Sequence, residues 1–466
     1  MRPFNQPPRP GYRAGMENIR TLIILGATGD LTSRLLLPGL GTLLSSQPEL
    51  RIDVVGSSRQ PAERWEQVVA EAFDSVGASG PAAAHTRETA RYVAGDVTDP
   101  EDLRRLLDDA EGPVCLYFAL PPAVTARACE VMAGMDLPDD LVLALEKPIG
   151  SDERSARELN RLVGRLVPEE RTFRVDHFLG LPAVLNFVGL RFANRLLEPL
   201  MNRDHVESVE IVFDETLGLE GRAEFYDSTG ALRDMVQSHL LQVMALVMME
   251  PPASFDQVEI PTLTSHVLRA TRPWQGDPAR AAVRGRYTAG HVGGKDLPDY
   301  AAEPGVDPER GTETFAQVVL EVDTWRWNGV PVTLRSGKAV GSPRQEIAIT
   351  FRRPPHDYAQ LPRSGDVAPD VLRMGLEEEQ LSLELNVGGP FDSRGMTRVT
   401  LSSGMARPGL TAYGSVLRGI LEGDHTFGVR GDAAEQGWRI VDEVLAAFED
   451  GRVPLLDYPA GSSGPV

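Results

Sequence analysis

The sequence predicts an α/β protein in two parts: an N-terminal doubly wound domain on a parallel sheet, then a larger α+β domain with a mostly antiparallel sheet. Three observations predict it. Up to about residue 180, short continuous apolar runs alternate with helix-length amphipathic intervals. The first of those runs ends in a glycine turn that opens a helix. Beyond it, strands become longer and alternate apolar with polar residues. Alternating strands and helices build βαβ units, whereas polar alternation belongs to antiparallel strands with one wet face.

Taken in order, IRTLIILGATGDLTSRLLLPGLGTLL (19–44) reads as strand, tight turn and helix. RIDVVGSSR (51–59), RYVAGDVTD (91–99), VCLYFALPP (114–122) and LVLALEKPIG (141–150) read as four further strands. ERWEQVVAEAFDSV (63–76) and PEDLRRLLDDA (100–110) are helical intervals between them. Later, VESVEIVFDET (206–216), ETFAQVVLEVDTWRW (313–327), VPVTLRSGK (330–338), QEIAITFRR (345–353) and QLSLELNV (380–387) read as strands. Helices are expected over 181–197, 230–248 and 435–448, and a long polar loop over 290–311. Residues 1–17, rich in Pro and Arg, read as a disordered tail; 18–180 as a Rossmann-like nucleotide domain; 181–455 as the α+β substrate domain; 456–466 as a frayed tail.

The chain has 466 residues, 42% hydrophobic and 24% charged, with a net charge of −20. A nucleic-acid surface needs a broad basic face, which this balance argues against. A few local cations still suffice for a small anion. Two cysteines, Cys115 and Cys129, form neither a disulfide framework nor a metal-ligand spacing, which fits a reducing cytosol and no metal. No apolar run approaches the roughly 18 residues of a membrane span. The longest, Leu240–Met249, reads as a buried helix segment.

Chemistry-bearing residues fall in a few segments. GATGDL (Gly26–Leu31) follows a strand and opens a helix, so its backbone N–H groups and the helix N-terminus suit a pyrophosphate. At the end of the second strand, where an NAD site places an acidic residue, stand Ser57, Ser58 and Arg59. A guanidinium with two hydroxyls suits a 2′-phosphate, which favours NADP. LEKPIG puts Lys147 at the carboxyl end of a strand, before a Pro whose bond is a candidate for cis. RVDHFLG offers Asp176 and His177; VFDETLGLEGR offers Glu215; LRDMVQSHLLQ offers Asp234 and His239 on one helix. A histidine oriented by a carboxylate is a sound general base. A hydroxyl proton and a hydride leaving one carbon is the chemistry that NADP requires of its protein.

Together, GATGDL, EKPIG, RVDHFLG, LRFANRLLEPLMNRDHV, EGRAEFYDSTGALRDMVQSHLLQ and GVPVTLRSGKA resemble the glucose-6-phosphate dehydrogenase family, in order and spacing, over nearly the whole chain. The resemblance implies oxidation of glucose 6-phosphate at C1 to 6-phosphogluconolactone with NADP, the first step of the oxidative pentose phosphate route, in the cytoplasm. By position, His239 matches the general base, Asp176 the carboxylate that pairs with it, and Lys147 the lysine that positions sugar and nicotinamide. Glu215, Asp234 and Lys338 match sugar-binding residues, and His177 a phosphate ligand. Gly26, Thr28, Gly29, Asp30 and Leu31 lie in the dinucleotide turn, and Arg59 matches the arginine on the 2′-phosphate. Family members are dimers or tetramers formed through the large sheet, so the partners implied are a sugar phosphate and a second copy of the chain.

The sequence departs from the family in one place that matters. The motif R-I-D-H-Y-L-G-K reads here as Arg174 to Leu181, with Phe178 for the tyrosine and Leu181 for the lysine. At roughly 1.5–3 kcal/mol for each hydrogen bond to a charged group, losing both costs about two to four decades of affinity unless another cation compensates. Arg191, Arg195 and Arg344 are the candidates; a second family cation is replaced by Pro343. Two other readings follow: a related NADP-dependent dehydrogenase of free glucose or another hexose, and a catalytically silent regulatory paralogue. The full Asp176 and His239 set argues against the second.

Overall fold

The computed structural model describes residues 19–356, 361, 367–377, 380–389, 396–405 and 409–465. The expected 1–17 tail lies outside them. The chain forms two compact units. The first holds residues up to Gly180 together with Pro252–Thr262 and Gly409–Gly431; the second holds Leu181–Pro251, Leu263–Pro408 and Asp432–Val466. The two returning pieces in the first unit correct the sequence reading, which had placed everything from 181 to 455 in one domain.

The first unit carries a six-stranded parallel sheet: β1 (Thr21–Leu25), β2 (Asp53–Ser58), β3 (Arg91–Ala94), β4 (Val114–Phe118), β5 (Val142–Glu146) and β6 (Thr172–Val175). Their order is β3-β2-β1-β4-β5-β6. β1 and β4 are buried along their whole length, which is why they read as uninterrupted apolar runs. The order reverses at β1, whose neighbours on either side are β2 and β4. Such a switch point opens a crevice at the carboxyl ends of the strands. The returning helix Ala412–Glu422 packs on Leu37–Ser46 in the same core. That crossing is close: a Cβ on Gly39 would stand 2.6 Å from Cβ of Tyr413.

Among the described residues, the second unit is built on a sheet of ten strands. They are β7 (Val206–Asp214), β8 (Thr271–Pro273), β9 (Ala282–Thr288), β12 (Phe315–Val322), β13 (Val332–Gly337), β14 (Gln345–Phe351), β15 (Val371–Gly375), β16 (Gln380–Val387), β17 (Thr397–Gly404) and β18 (Leu455–Pro459). Most pairs are antiparallel, but β13 pairs parallel with β7 and β18 parallel with β9. The sheet is therefore mixed.

Three expectations need correction here. Of the expected 456–466 tail, the described residues 456–465 do not fray: β18 lies in the sheet, with Tyr458 opposite Tyr287 and 1% exposed. Its Pro-Gly-Ser composition reads as a tail, but its partners are distant strands that no local pattern reveals. The 290–311 segment is pinned. It contains a hairpin of β10 (Gly290–Val292) and β11 (Lys295–Leu297). Fully buried Asp227 accepts hydrogen bonds from Tyr300 Oη at 2.8 Å, Asp307 N at 3.0 Å and Arg310 at 3.0 Å. The 181–197 helix is shorter, Pro182–Phe192. Past its end, Asn194 donates its side-chain amide to the Leu190 carbonyl.

Candidate active site

In the first unit the glycine turn is shaped by backbone. Gly26 adopts φ +85°, and a Cβ there would lie 2.2 Å from the Ala119 carbonyl oxygen. Only glycine fits both demands. Its N–H and that of Ala27 donate to the Ser57 carbonyl at 2.8 and 3.1 Å, which ties the turn to β2. Thr28, Gly29 and Asp30 are exposed at the tip; Leu31 is half-buried and leads into a π-helical start, Thr32–Leu36. The Thr28 hydroxyl lies 3.2 Å from Ser58 Oγ. An exposed main-chain turn at the switch point, with two hydroxyls beside it, fits a dinucleotide phosphate.

The 2′-phosphate group of residues is only partly assembled. Ser58 and exposed Arg59 stand at the end of β2, but Ser57 is buried, with its hydroxyl unpartnered among the described residues. The expectation of two hydroxyls is thus corrected to one, because Ser57 still lies in strand phase and points inward. Asp96 sits near Arg59. Its carboxyl is held below the usual range by the Thr98 N–H and hydroxyl, with Arg59 adding to the effect.

At the carboxyl end of β5, the Lys147–Pro148 bond is cis. The preceding residue, Glu146, is one that sequence reasoning missed. Tyr117 Oη donates to it at 2.5 Å. Burial pushes its carboxyl up to about 7, against the opposing pull of Tyr117, Lys147 and Tyr413; Asp176 adds to the rise. Glu146, Lys147, Asp176 and Tyr413 are therefore electrostatic neighbours. His177 stacks on Tyr413 with ring centroids 5.1 Å apart, and the N–H of Phe178 donates to Asp176 Oδ1 at 3.0 Å. Phe178 is buried edge-on to His177. A glutamate closing the apolar run LVLALE was the signal available in the sequence.

In the second unit, Lys338 follows β13 and Glu215 follows β7, two parallel neighbours, so both reach the same sheet end. Lys338 Nζ and Glu215 Oε2 are 2.6 Å apart, with side chains 7% and 23% exposed. Lys338 Nζ also sits 5.2 Å from the Tyr226 ring centroid. Burial, followed by the charges of Asp234, Glu313 and Glu215, raises the Tyr226 phenol well above its ordinary pKa. Tyr226 is thus a hub for the sugar-binding candidates that no sequence pattern marked. Asp234 and buried His239 lie on the π-helical stretch Leu232–Leu240. π-turns inside helices are frequent at functional sites.

Two of the proposed replacement cations are committed elsewhere. Arg191 is fully buried, bonded to Glu198 at 2.5 Å and to the Val247 carbonyl at 2.9 Å. Arg344 bridges Glu210 at 2.7 Å and Glu346 at 2.9 Å. Helical spacing gave their phase but not their partners. Arg195 is exposed beyond the helix end, and Leu181 is half-buried at the helix start.

Comparison with known proteins matches both units to family models. The glucose-6-phosphate dehydrogenase NAD-binding domain matches residues 23–186, and the glucose-6-phosphate dehydrogenase C-terminal domain matches 188–466. A glucose-6-phosphate 1-dehydrogenase of Zymomonas mobilis is 34% identical over 471 residues, covering 96% of each chain. The crystal structure of the Mycobacterium avium enzyme of that name superposes with a TM-score of 0.82 at 32% identity, over 96% of this chain and 95% of that one. A glucose-6-phosphate dehydrogenase in complex with its substrate glucose 6-phosphate gives a TM-score of 0.84 at 28% identity, over 97% and 96%.

Proposed function

The chain belongs to the glucose-6-phosphate dehydrogenase family, and from that premise we propose that it oxidises D-glucose 6-phosphate at C1 to 6-phospho-D-glucono-1,5-lactone with NADP. The observation that carries this reading is the pair of buried Lys338 and half-buried Glu215 beside Tyr226 and Asp234. It supplies one ammonium and two carboxylates to hydroxyl groups, the complement that a hexose needs.

In this reading His239 removes the C1 hydroxyl proton and Asp176 supplies the carboxylate of the relay. Glu215, Asp234 and Lys338 hold sugar hydroxyls, so that the C1 hydroxyl is aligned before the proton moves. Lys147 orients the sugar against the nucleotide side. His177, with its ring fixed against Tyr413, is a phosphate ligand. The turn Gly26–Leu31, with Lys147, holds the dinucleotide, and Arg59 with Ser58 selects the 2′-phosphate. NADP, when bound, supplies the hydride acceptor. Arg59→Ala is expected to lower the kcat/KM preference for NADP over NAD by about tenfold or more, in line with a lost charge-assisted contact. Self-association through the large sheet, in the cytoplasm, completes the reading. Support comes from the edge strand β17, which leaves Leu401 58% exposed.

A second reading, oxidation of free glucose or another hexose, is favoured by Phe178 and Leu181, which bring neither hydroxyl nor ammonium. Initial rates of NADPH formation with glucose 6-phosphate and glucose side by side separate the two. A preference of several decades in kcat/KM for the phosphorylated sugar supports the first. Equal values overturn it in favour of the second. Leu181→Lys sharpens the result: it is expected to lower the KM for glucose 6-phosphate about tenfold and leave that for glucose unchanged.

A further inference from the structure

Asp234 and His239 are five residues apart. On an α-helix that spacing puts two side chains roughly 140° apart, on different faces. With i→i+5 closure, at about 4.4 residues per turn, the same two lie within roughly 50° of each other. The stretch Leu232–Leu240 is wound in this way, and Leu241 N–H donates to the Val236 carbonyl five residues back. The Ser238 hydroxyl donates to the Asp234 carbonyl at 3.0 Å, satisfying an acceptor on the widened turn. The shared face of the two residues therefore depends on how the helix is started and held.

Its start is held by one residue. Ala231 N–H donates to the Glu313 carbonyl at 3.1 Å, and Leu232 N–H to Glu313 Oε1 at 3.0 Å. Gly230, at φ +75°, turns the chain into this segment. A Cβ on Gly230 would lie 2.5 Å from Glu313 Oε1, so the carboxylate occupies the room that glycine leaves. The next residue along, Thr314, accepts the Lys338 N–H on its carbonyl at 2.9 Å. Thr314 Oγ1 is 2.9 Å from Tyr458 Oη, which donates to the Lys338 carbonyl at 2.7 Å. Two consecutive residues thus hold both the helix of Asp234 and His239 and the backbone of Lys338.

We propose that Glu313 is a positioning residue: by accepting the first N–H groups of the π-helical segment, it sets the rotational phase that puts Asp234 and His239 on one face, in register with Lys338. The proposal deepens the dehydrogenase reading and rests on it. Glu313 touches neither sugar nor nucleotide in this account. It acts through the helix frame, and its buried carboxyl group, whose pKa burial raises, is faced by Tyr226, Arg233 and Arg284.

The test compares the full-length wild type with Glu313→Ala, Glu313→Gln and Glu313→Asp. It reads kcat, both KM values and the circular-dichroism melting curve. Alanine removes the side-chain acceptor of Leu232 N–H and keeps the main-chain carbonyl that takes Ala231 N–H. Its kcat is expected to fall about a hundredfold, as a misplacement near 1 Å does, and its sugar KM to rise about tenfold, while the KM for NADP stays put. Glutamine keeps an oxygen for Leu232 N–H and is expected within about threefold of wild type. Aspartate is one methylene short and is expected to show the alanine pattern more weakly, which serves if alanine does not fold. An alanine or aspartate variant that folds with unchanged sugar KM and kcat overturns the proposal, as does a glutamine variant as damaged as alanine. All variants are assayed on whichever hexose the wild type turns over, so a wrong substrate assignment shows in the wild type and a wrong role for Glu313 only in the variants.

Discussion

The two units build their halves of the chemistry from different materials. The nucleotide half is main chain: a glycine turn that leaves no room for a Cβ, tied by N–H groups to the next strand. The proposed sugar half is side chain: an ammonium 2.6 Å from a carboxylate, over a buried phenol, beside a helix whose start is held by a buried glutamate. Function in the first half is therefore inseparable from folding. In the second, a change of one polar group is expected to stop turnover in a protein that still folds.

The largest expected effect is the sharpest form of that contrast. His239→Asn keeps a polar side chain on the helix but no imidazole nitrogen to take a proton. Its kcat is expected to fall about a thousandfold, within the range for loss of a general base, with both KM values and the melting temperature nearly unchanged. Stopped activity with an intact melting curve sharpens the contrast; normal kcat removes His239 from the role of base. Gly26→Ala is the counterpart. Here a Cβ at positive φ meets the Ala119 carbonyl at 2.2 Å. A loss of stability of about 3 kcal/mol is expected, together with a raised KM for NADP. Should the variant melt like wild type and lose only nucleotide affinity, the two halves would differ less than stated.

The same difference in materials explains what the sequence made legible. A backbone requirement leaves a compositional trace, so the turn at Gly26–Gly29, the β1 run and the Lys147–Pro148 pair stood out in the letters. Ser57 misled because nothing in GSSRQ says where strand phase ends; one residue of register separates a buried hydroxyl from a half-buried one. Arg191 misled because its partner, the Glu198 carboxylate, sits beyond the helix end, where helical periodicity says nothing. Glu313 and Tyr226 left no trace at all. Each matters through a residue far along the chain, as Glu313 does through Leu232, 81 positions away.

Glu146 is the exception that tests the comparison, a half-buried, desolvated carboxyl in the backbone-built half. Its folded value of about 7 stands above the ordinary 4.5, so the folded state keeps a proton that the unfolded chain has released. The stabilising contribution is complete below pH 4.5 and is lost as pH rises through about 7. The total involved is at most about 3 kcal/mol. Denaturant unfolding at a series of pH values between 5 and 8 is expected to show wild-type stability declining across that window, and Glu146→Gln, which cannot ionise, losing this part of the decline. Parallel curves for the two proteins would place the Glu146 carboxyl at an ordinary pKa, with the Tyr117 hydroxyl 2.5 Å away and the Lys147 charge offsetting its desolvation.

The smallest effect concerns the strand that composition hid. Tyr458 reaches Lys338, 120 positions away, through a hydrogen bond to its carbonyl. Tyr458→Phe keeps the ring, and so most of the packing of β18 against β9, but leaves the Lys338 carbonyl and the Thr314 hydroxyl each one partner short. Burial makes that loss cost about 1–2 kcal/mol, a fall of a few degrees in melting temperature. Because the lost bond holds the backbone of the lysine proposed to bind the sugar, the KM for the sugar is expected to rise two- to threefold (about 0.5 kcal/mol) while that for NADP stays fixed. If the melting temperature falls and both KM values hold, β18 merely staples the sheet, and the side-chain network of the sugar half stops at Lys338 itself. If the sugar KM moves as expected, the network extends through Thr314 to the last strand of the chain, and the apparent tail belongs to the site.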